Sequence, residues 1–185
     1  SYRRVMDAKA DRDGLVAKRL AEAHLRLGQL DSAERVIAAV ESQYGADDQT
    51  IILRSQIALD RQNPLEARRL LDSAIERNPR NALAFIRRAQ LGFTDDTQYA
   101  AVLRDLRQAV QLQPDNITVR QLLSQLFIRR NRVNEAIDEL AQAVRSQPAN
   151  DTLRLEYVRL LGQHGTPDQL IAAIQQAVSE RGEAA

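Results

Sequence analysis

The fold is decided by a short pattern that recurs along the chain: Pro79-Arg80-Asn81, Pro114-Asp115-Asn116 and Pro148-Ala149-Asn150. The three copies are 35 and 34 residues apart, and Gly45-Ala46-Asp47 occupies the same place one step earlier without the proline. Proline cannot continue a helix, and it biases the residue before it away from helical angles. The pattern therefore marks the boundaries of an internal repeat with a period near 34 residues.

Residues of similar size recur with the same period between these boundaries. Two columns hold small residues, and a third column holds large aliphatic ones. Their members are Ala21, Ser55, Ala89 and Ser124, then Ala74, Ala109, Ala143 and Ala177, and finally Ile37, Leu71, Leu106, Leu140 and Ile174. Because several independent columns keep one period over five units, chance is a poor explanation.

Each unit contains two helical patterns joined by a turn. In the first unit Leu20 and Leu27 precede Gly28, which stops a helix, and Asp31 then opens a second apolar pattern at helical spacing. In the second unit Asn63-Pro64 has the form of an N-cap followed by proline in the first turn. The unit is therefore predicted to be a helix–turn–helix pair.

The period, the helix pair, the small columns and the recurrent prolines resemble the tetratricopeptide repeat (TPR) family. The resemblance implies an all-α fold, a right-handed α-α superhelix (TPR solenoid) of about five helix-turn-helix repeats. We place the repeats at 14–47, 48–81, 82–116, 117–150 and 151–184, with residues 1–13 as the second helix of a preceding partial repeat. Repeat three carries a one-residue insertion in its turn, Thr94-Asp95-Asp96-Thr97.

Some positions depart from the pattern of that family. Arg120 and Arg154 stand where the family has a bulky residue early in the first helix, and Arg54 and Arg88 stand where it usually has Leu. Gly92 replaces its usual Tyr in the third repeat. These departures are expected to alter local packing without changing the fold.

Charge and composition exclude several classes of protein. The chain has 26 basic and 25 acidic residues, so its net charge of +1 provides no general attraction for nucleic acid or an anionic membrane. No apolar run approaches the roughly 20 residues that cross a bilayer, so direct membrane insertion is not expected. The chain has no cysteine, and that leaves its compartment open between bacterial cytoplasm and periplasm.

The sequence contains few candidate catalytic or metal-ligating residues. Its two histidines, His24 and His164, have no second histidine at a metal-ligand spacing, and nothing indicates a Ser-His-Asp arrangement. No glycine-rich phosphate loop is present, and the carboxylate pairs at Asp47-Asp48 and Asp95-Asp96 lie at turns beside helix starts. We therefore expect no enzyme activity, no catalytic residue, no metal site and no cofactor.

The resemblance implies a concave groove lined by the first helix of each repeat. The positions carried over to this chain are Lys18, Glu22, Leu25, Ile52, Gln56, Leu59, Ile86, Gln90, Gln121, Gln125, Ile128, Leu155 and Arg159. Their amides suit an extended peptide backbone, and their aliphatic groups suit its side chains or an apolar helix face. The alternative is that glutamine is simply frequent here and that the aliphatic groups pack between repeats.

One specialised groove can be tested directly on the sequence. Chaperone-binding members of the family clamp a C-terminal carboxylate with two Lys, two Asn and one Arg. The matching positions here are Lys18, Glu22, Leu53, Leu83 and Arg87. Only the first and last fit, and a glutamate would repel the ligand, so a chaperone co-factor is not expected.

The leading hypothesis is a non-catalytic scaffold that binds a protein segment in the groove, as part of a larger bacterial assembly or export protein. An apolar stripe of Leu170, Ile171, Ile174 and Val178 has no covering helix in the sequence, which suggests further repeats or a capping partner. The stripe also supports a rival, self-association through the terminal helices. RNA binding by helical repeats is a third possibility, but it needs a basic groove.

Overall fold

The computed structural model describes residues 14–182, which fold into helices joined by short turns, with no strand among them. The ten α-helices of this part are α1 Leu15–Arg26, α2 Leu30–Tyr44, α3 Asp48–Asp60, α4 Pro64–Arg77, α5 Ala82–Gly92, α6 Tyr99–Leu112, α7 Ile117–Arg129, α8 Val133–Ser146, α9 Asp151–His164 and α10 Pro167–Gly182. A 3₁₀ helix at Asp96–Gln98 precedes α6. The expectation of an all-α helical repeat is confirmed.

Asparagine and aspartate side chains begin most of the odd-numbered helices. Asn81, Asn116 and Asn150 are the N-caps of α5, α7 and α9, and each accepts a hydrogen bond from a backbone amide of the first turn. Asp47 does the same for α3, where Thr50 completes a capping box. The recurrent asparagine of the Pro-x-Asn pattern therefore satisfies amides that have no partner inside the helix.

A left-handed residue recurs in the turns within the helix pairs. Gly28 has φ of 68°, and the same position one and three repeats later is occupied by Gln62, with φ of 60°, and Asn131, with φ of 56°. Glycine adopts this conformation without a steric penalty, whereas glutamine does not. The backbone of the turn is therefore the same in these repeats even where the favoured residue is absent.

The described part of the chain divides into two compact units, one ending at Asp96 and the other beginning at Thr97. In the first unit, α1 to α3 enclose a core that includes Ala21, Ala33, Ile37 and Leu53. A second cluster in the same unit joins α3, α4 and α5. The small residues allow helices to approach closely, so the large aliphatic groups are enclosed between helix pairs.

The columns of small and of large aliphatic residues also contribute buried side chains to the second unit. Leu106 and Leu140 are completely buried or nearly so, and Ala109 and Ala143 are fully buried. Ile174, the last member of the aliphatic column, is instead exposed. The repeat boundaries within both units stay a prediction, and the helix expected at residues 1–13 lies outside the described part, as does the side chain of Ala177.

Arginines replace apolar groups at the departures from the family pattern, and each is held by polar partners. Arg54 donates to both carboxylate oxygens of Glu41, through Nε at 3.1 Å and Nη2 at 2.6 Å. Arg88 Nη1 lies 2.8 Å from Asp72 Oδ1. The forked contact of Arg54 and the charge-assisted bond of Arg88 give each guanidinium a carboxylate acceptor beside a helix interface.

Candidate functional site

A cavity of about 430 Å³ opens on the first unit, between the first helices of three consecutive pairs. Four of its lining residues come from α1, four from α3 and two from α5. They are Arg19, Glu22, Leu25 and Arg26, then Ile52, Leu53, Gln56 and Asp60, and finally Leu83 and Arg87. We call this the three-helix cavity.

The helical period brings these residues to one face. On α1 the spacing from Arg19 to Glu22 and on to Arg26 is three and four residues, which places them one above another. Leu83 and Arg87 repeat the four-residue spacing on α5. The cavity is therefore a consequence of helix register combined with the stacking of helix pairs.

The floor of the cavity is aliphatic and its rim is charged. Ile52 and Leu53 are buried, Leu25 is half-buried, and Leu83 is 45 % exposed. Such a floor can take an aliphatic side chain, because each apolar surface removed from water contributes favourably to association.

Hydrogen bonds neutralise only part of the charged rim. Arg19 Nη1 donates to Glu22 Oε2 at 2.9 Å, and Gln56 Nε2 donates to Asp60 Oδ1 at 2.9 Å. Arg87 Nη1 donates to the amide oxygen of Gln90 at 3.3 Å, so its charge is not compensated by that contact.

Lys18 is bound to the fold rather than presented to solvent. Its side chain is buried, and its ammonium makes an ion pair with the carboxylate of Asp47, the N-cap of α3. Burial by itself raises the pKa of Asp47, but the bond from Lys18 and the backbone amide of Thr50 outweigh it, and the pKa lies below its ordinary value. The pair thereby ties α1 to the start of α3.

The remaining groove positions predicted in the first unit divide into two groups. Glu22, Leu25, Ile52 and Gln56 line the three-helix cavity. Three others lie outside that lining: Leu59 is half-buried, Ile86 is buried and Gln90 is exposed.

In the second unit the predicted positions lie on α7 and α9. Gln121 Nε2 donates to Glu156 Oε2 at 2.6 Å, which joins these two helices. Gln125, Ile128, Leu155 and Arg159 are exposed. Because Gln121 already has a strong acceptor, it would have to exchange that bond in order to contact a peptide backbone.

Several cavity residues were not among the predicted groove positions. The family pattern does not include Arg19, Arg26 or Asp60, and it includes Leu53, Leu83 and Arg87 only as positions of the chaperone clamp. The family pattern supplied one position for each turn of each first helix. A second signal was present in the sequence, since residues three and four positions from Glu22 and Gln56 share their face. Extending each position by this spacing finds Arg19, Arg26, Leu53 and Asp60.

Within residues 14–182, no group of three or more His, Asp or Glu side chains is placed to hold a metal ion. His24 Nδ1 is 2.7 Å from the amide oxygen of Gln29, beside the turn that ends α1. None of the described helices has the length and apolar character needed to cross a bilayer.

Comparison with known protein families gives one match. The sequence model described as tetratricopeptide repeat matches residues 93–154. A comparison with curated protein sequences gave no match. The matched segment includes α7 and α8, one complete helix pair of the second unit.

Solved structures with this fold include several TPR proteins. The chain is similar to PilF of Pseudomonas aeruginosa, with a TM-score of 0.73 and 16% identity over 90% of this chain and 74% of that one. TTC0263, a thermophilic TPR protein of Thermus thermophilus, gives 0.69 and 20% identity over 86% and 87%. MamA gives 0.66 and 15% over 89% and 95%. At these identities the likeness establishes the shared fold.

Proposed function

We propose that this tetratricopeptide repeat protein is a non-catalytic scaffold that holds a segment of another protein against its first helices. A fold of this kind commonly acts through protein interaction, and the segment would be an extended peptide or a helix. We further propose that the scaffold works within a larger bacterial assembly or export protein.

The observation that carries the proposal is the three-helix cavity. Its volume of about 430 Å³ falls within the range of roughly 300–1,000 Å³ typical of ligand pockets. It combines an aliphatic floor with amide and guanidinium groups on one open face. This combination favours a polypeptide, because a peptide supplies apolar side chains together with backbone donors and acceptors.

The absence of cysteine allows a sharp test. Peptide segments are first selected from a displayed random library on the full chain. A photocrosslinker is then attached to a single introduced cysteine, in Gln56→Cys or Leu83→Cys on the cavity. Arg69→Cys is the control, because Arg69 lies on α4, outside the cavity lining, and its side chain is 83% exposed.

The expected result is crosslinking of selected segments from positions 56 and 83, with little from position 69. Melting temperatures of the labelled variants, measured alongside, identify any variant that has lost its fold. Equal crosslinking from all three positions, or no selected segment at all, would overturn the proposal.

Self-association through the terminal helix is a second candidate. On α10 the side chains of Ile171, Ile174 and Val178 are exposed on one helical stripe. Apolar groups in such a stripe are usually covered in repeat proteins. Light scattering over a range of concentrations tests this, with Ile171→Glu and Ile174→Glu combined. If the parent chain is monomeric at every concentration and the double variant still binds selected segments, the candidate is eliminated.

A further inference from the structure

We infer that the three-helix cavity selects acidic segments, in which aspartate or glutamate side chains flank an aliphatic residue. This inference rests on the proposed function and names the class of segment bound at the same site. The charges that the cavity leaves uncompensated, and their positions on the three helices, favour such a ligand.

The cavity rim carries more cations than anions. Its three guanidiniums belong to Arg19, Arg26 and Arg87, and its two carboxylates belong to Glu22 and Asp60. Glu22 is already paired with Arg19 at 2.9 Å. Because the glutamate is neutralised in this way, the rim keeps two guanidiniums without an ion pair, Arg26 and Arg87, against one such carboxylate, Asp60, whose bond comes from the neutral amide of Gln56.

Arg26 and Arg87 are the groups available to a ligand. Among residues 14–182, neither has a carboxylate within ion-pair distance, and the bond from Arg87 goes to the neutral amide of Gln90. Guanidinium groups bind carboxylates through charge-assisted and often paired hydrogen bonds, which are about twice as strong as neutral ones.

The positions of these two arginines favour two carboxylates over one. Arg26 is the last residue of α1, whereas Arg87 lies in the middle of α5. Arg87 occupies the same repeat position as Arg19, which lies seven residues before Arg26. The levels of Arg26 and Arg87 along their helices therefore differ by seven residues, or about 10 Å along a helix axis. A single terminal carboxylate is too small to occupy both levels, whereas acidic side chains on either side of a bound residue can reach both.

The aliphatic floor between the arginines defines the central residue. Ile52 and Leu53 of α3 are buried beneath the cavity, and Leu25 and Leu83 contribute from the neighbouring helices. A leucine-sized group placed here would cover Leu83, which is 45 % exposed. The segment therefore has an acidic–aliphatic–acidic pattern rather than an acidic one alone.

The test uses a peptide of alternating leucine and aspartate, acetylated and amidated so that it has no terminal charge. Peptides with asparagine or lysine in place of aspartate are the neutral and basic comparisons. Binding to the full chain is measured by fluorescence anisotropy, and the site is mapped from backbone amide shifts. We expect the aspartate peptide to bind best and to shift the amides of Leu25, Gln56 and Arg87.

Charge reversal provides the decisive comparison. Arg26→Glu combined with Arg87→Glu is expected to weaken binding of the aspartate peptide by at least about tenfold. This loss of affinity should shrink as the salt concentration is raised. The matched control is Arg80→Glu combined with Arg107→Glu, which changes the net charge equally at exposed positions outside the cavity lining. Melting temperatures establish that both variants remain folded.

The outcomes separate this inference from the proposed function. If selected segments crosslink from positions 56 and 83 but the asparagine peptide binds as tightly as the aspartate peptide, the acidic preference is overturned and the scaffold proposal stands. Equal weakening by the control variant, or no binding of the aspartate peptide, also overturns it. Crosslinking from position 69 instead overturns the scaffold proposal itself.

Discussion

Arg120 and Arg154 lie one repeat apart and donate to the same kind of acceptor, the carbonyl of the proline six residues earlier. Arg120 Nε reaches the carbonyl of Pro114 at 3.0 Å, and Arg154 Nη2 bonds that of Pro148. Both arginines are buried. A guanidinium at this position therefore ties the turn that precedes a helix pair to the first helix of the same pair, where the family has a bulky residue.

Arg120→Lys is expected to destabilise the protein by about 1–3 kcal/mol. Arg120 also donates to Glu139 Oε2 at 2.9 Å, and an ammonium cannot reproduce both contacts of the planar guanidinium. Urea unfolding measures the loss. Arg107→Lys, at an exposed position, is the control and should change stability little. Equal effects of the two substitutions would show that the buried fork does not stabilise the turn.

Lys18→Met should lower the free energy of unfolding by roughly 1–2 kcal/mol at neutral pH. The change leaves the carboxylate of Asp47 without its cation, but the carboxylate is 39% exposed, so the cost is below that of a fully buried pair. Chemical denaturation measures the effect. Lys18→Met should leave binding of the leucine–aspartate peptide within about twofold, because the ammonium is already committed to Asp47.

The effect of Lys18→Met should depend on pH. The lowered pKa of Asp47 means that its ionised form stabilises the fold above its ordinary pKa, near 4, and that this contribution disappears as the pH falls through the lower folded value. The difference between the variant and the parent chain should therefore shrink between pH about 5 and about 2. A difference that is constant over this range would contradict the assignment.

Gln62→Gly is expected to stabilise the protein by about 0.5–1 kcal/mol. The φ of 60° at Gln62 is unfavourable for a residue with a Cβ atom, whereas Gly28 holds the same place in the first pair without that penalty. Gly28→Ala is the converse variant and should destabilise by a similar amount, since a Cβ at that position meets no atom and only the backbone conformation is affected. Melting temperatures of the two variants should move in opposite directions.

Much of the fold could be predicted because its signals are local and repeated. Asn63 caps α4, with Pro64 in the first turn, as the sequence indicates. The buried Ala21 and Ala109 belong to columns that are visible from the period alone. A cap depends on a residue and the amides within three positions of it, and a column depends on size, so neither requires knowledge of distant contacts.

Less of the candidate site could be predicted from the sequence, because the site depends on which charged side chains form ion pairs in the folded chain. Lys18 and Asp47 are 29 residues apart, and only the packed structure reveals that they neutralise each other. Arg26 and Arg87 lie on different helices, and nothing in their local sequence distinguishes them from the paired Arg54 or Arg88. Electrostatic partners across repeats are a property of the tertiary structure, whereas helix register is a property of the sequence.

Ala109→Leu should overpack the second unit and destabilise it by about 1–3 kcal/mol. Ala109 on α6 is fully buried, so the added carbon atoms have no free volume. Ala100→Leu on the same helix is the matched control, because Ala100 is exposed. Thermal unfolding should separate the two variants, and equal melting temperatures would show that the small column does not limit helix approach.

Gln90→Glu combined with Gln125→Glu is expected to weaken binding of the selected segments by about threefold to tenfold, with little change in melting temperature. A glutamate at position 90 is three residues from Arg87 and would pair with its guanidinium, which now bonds the amide of Gln90. A glutamate at the exposed position 125 replaces an amide donor with a charge. Gln111→Glu, on the second helix of a pair, provides the control. Unchanged binding by the double variant would show that neither amide contributes to recognition, since both substitutions remove an amide donor while leaving the helices intact.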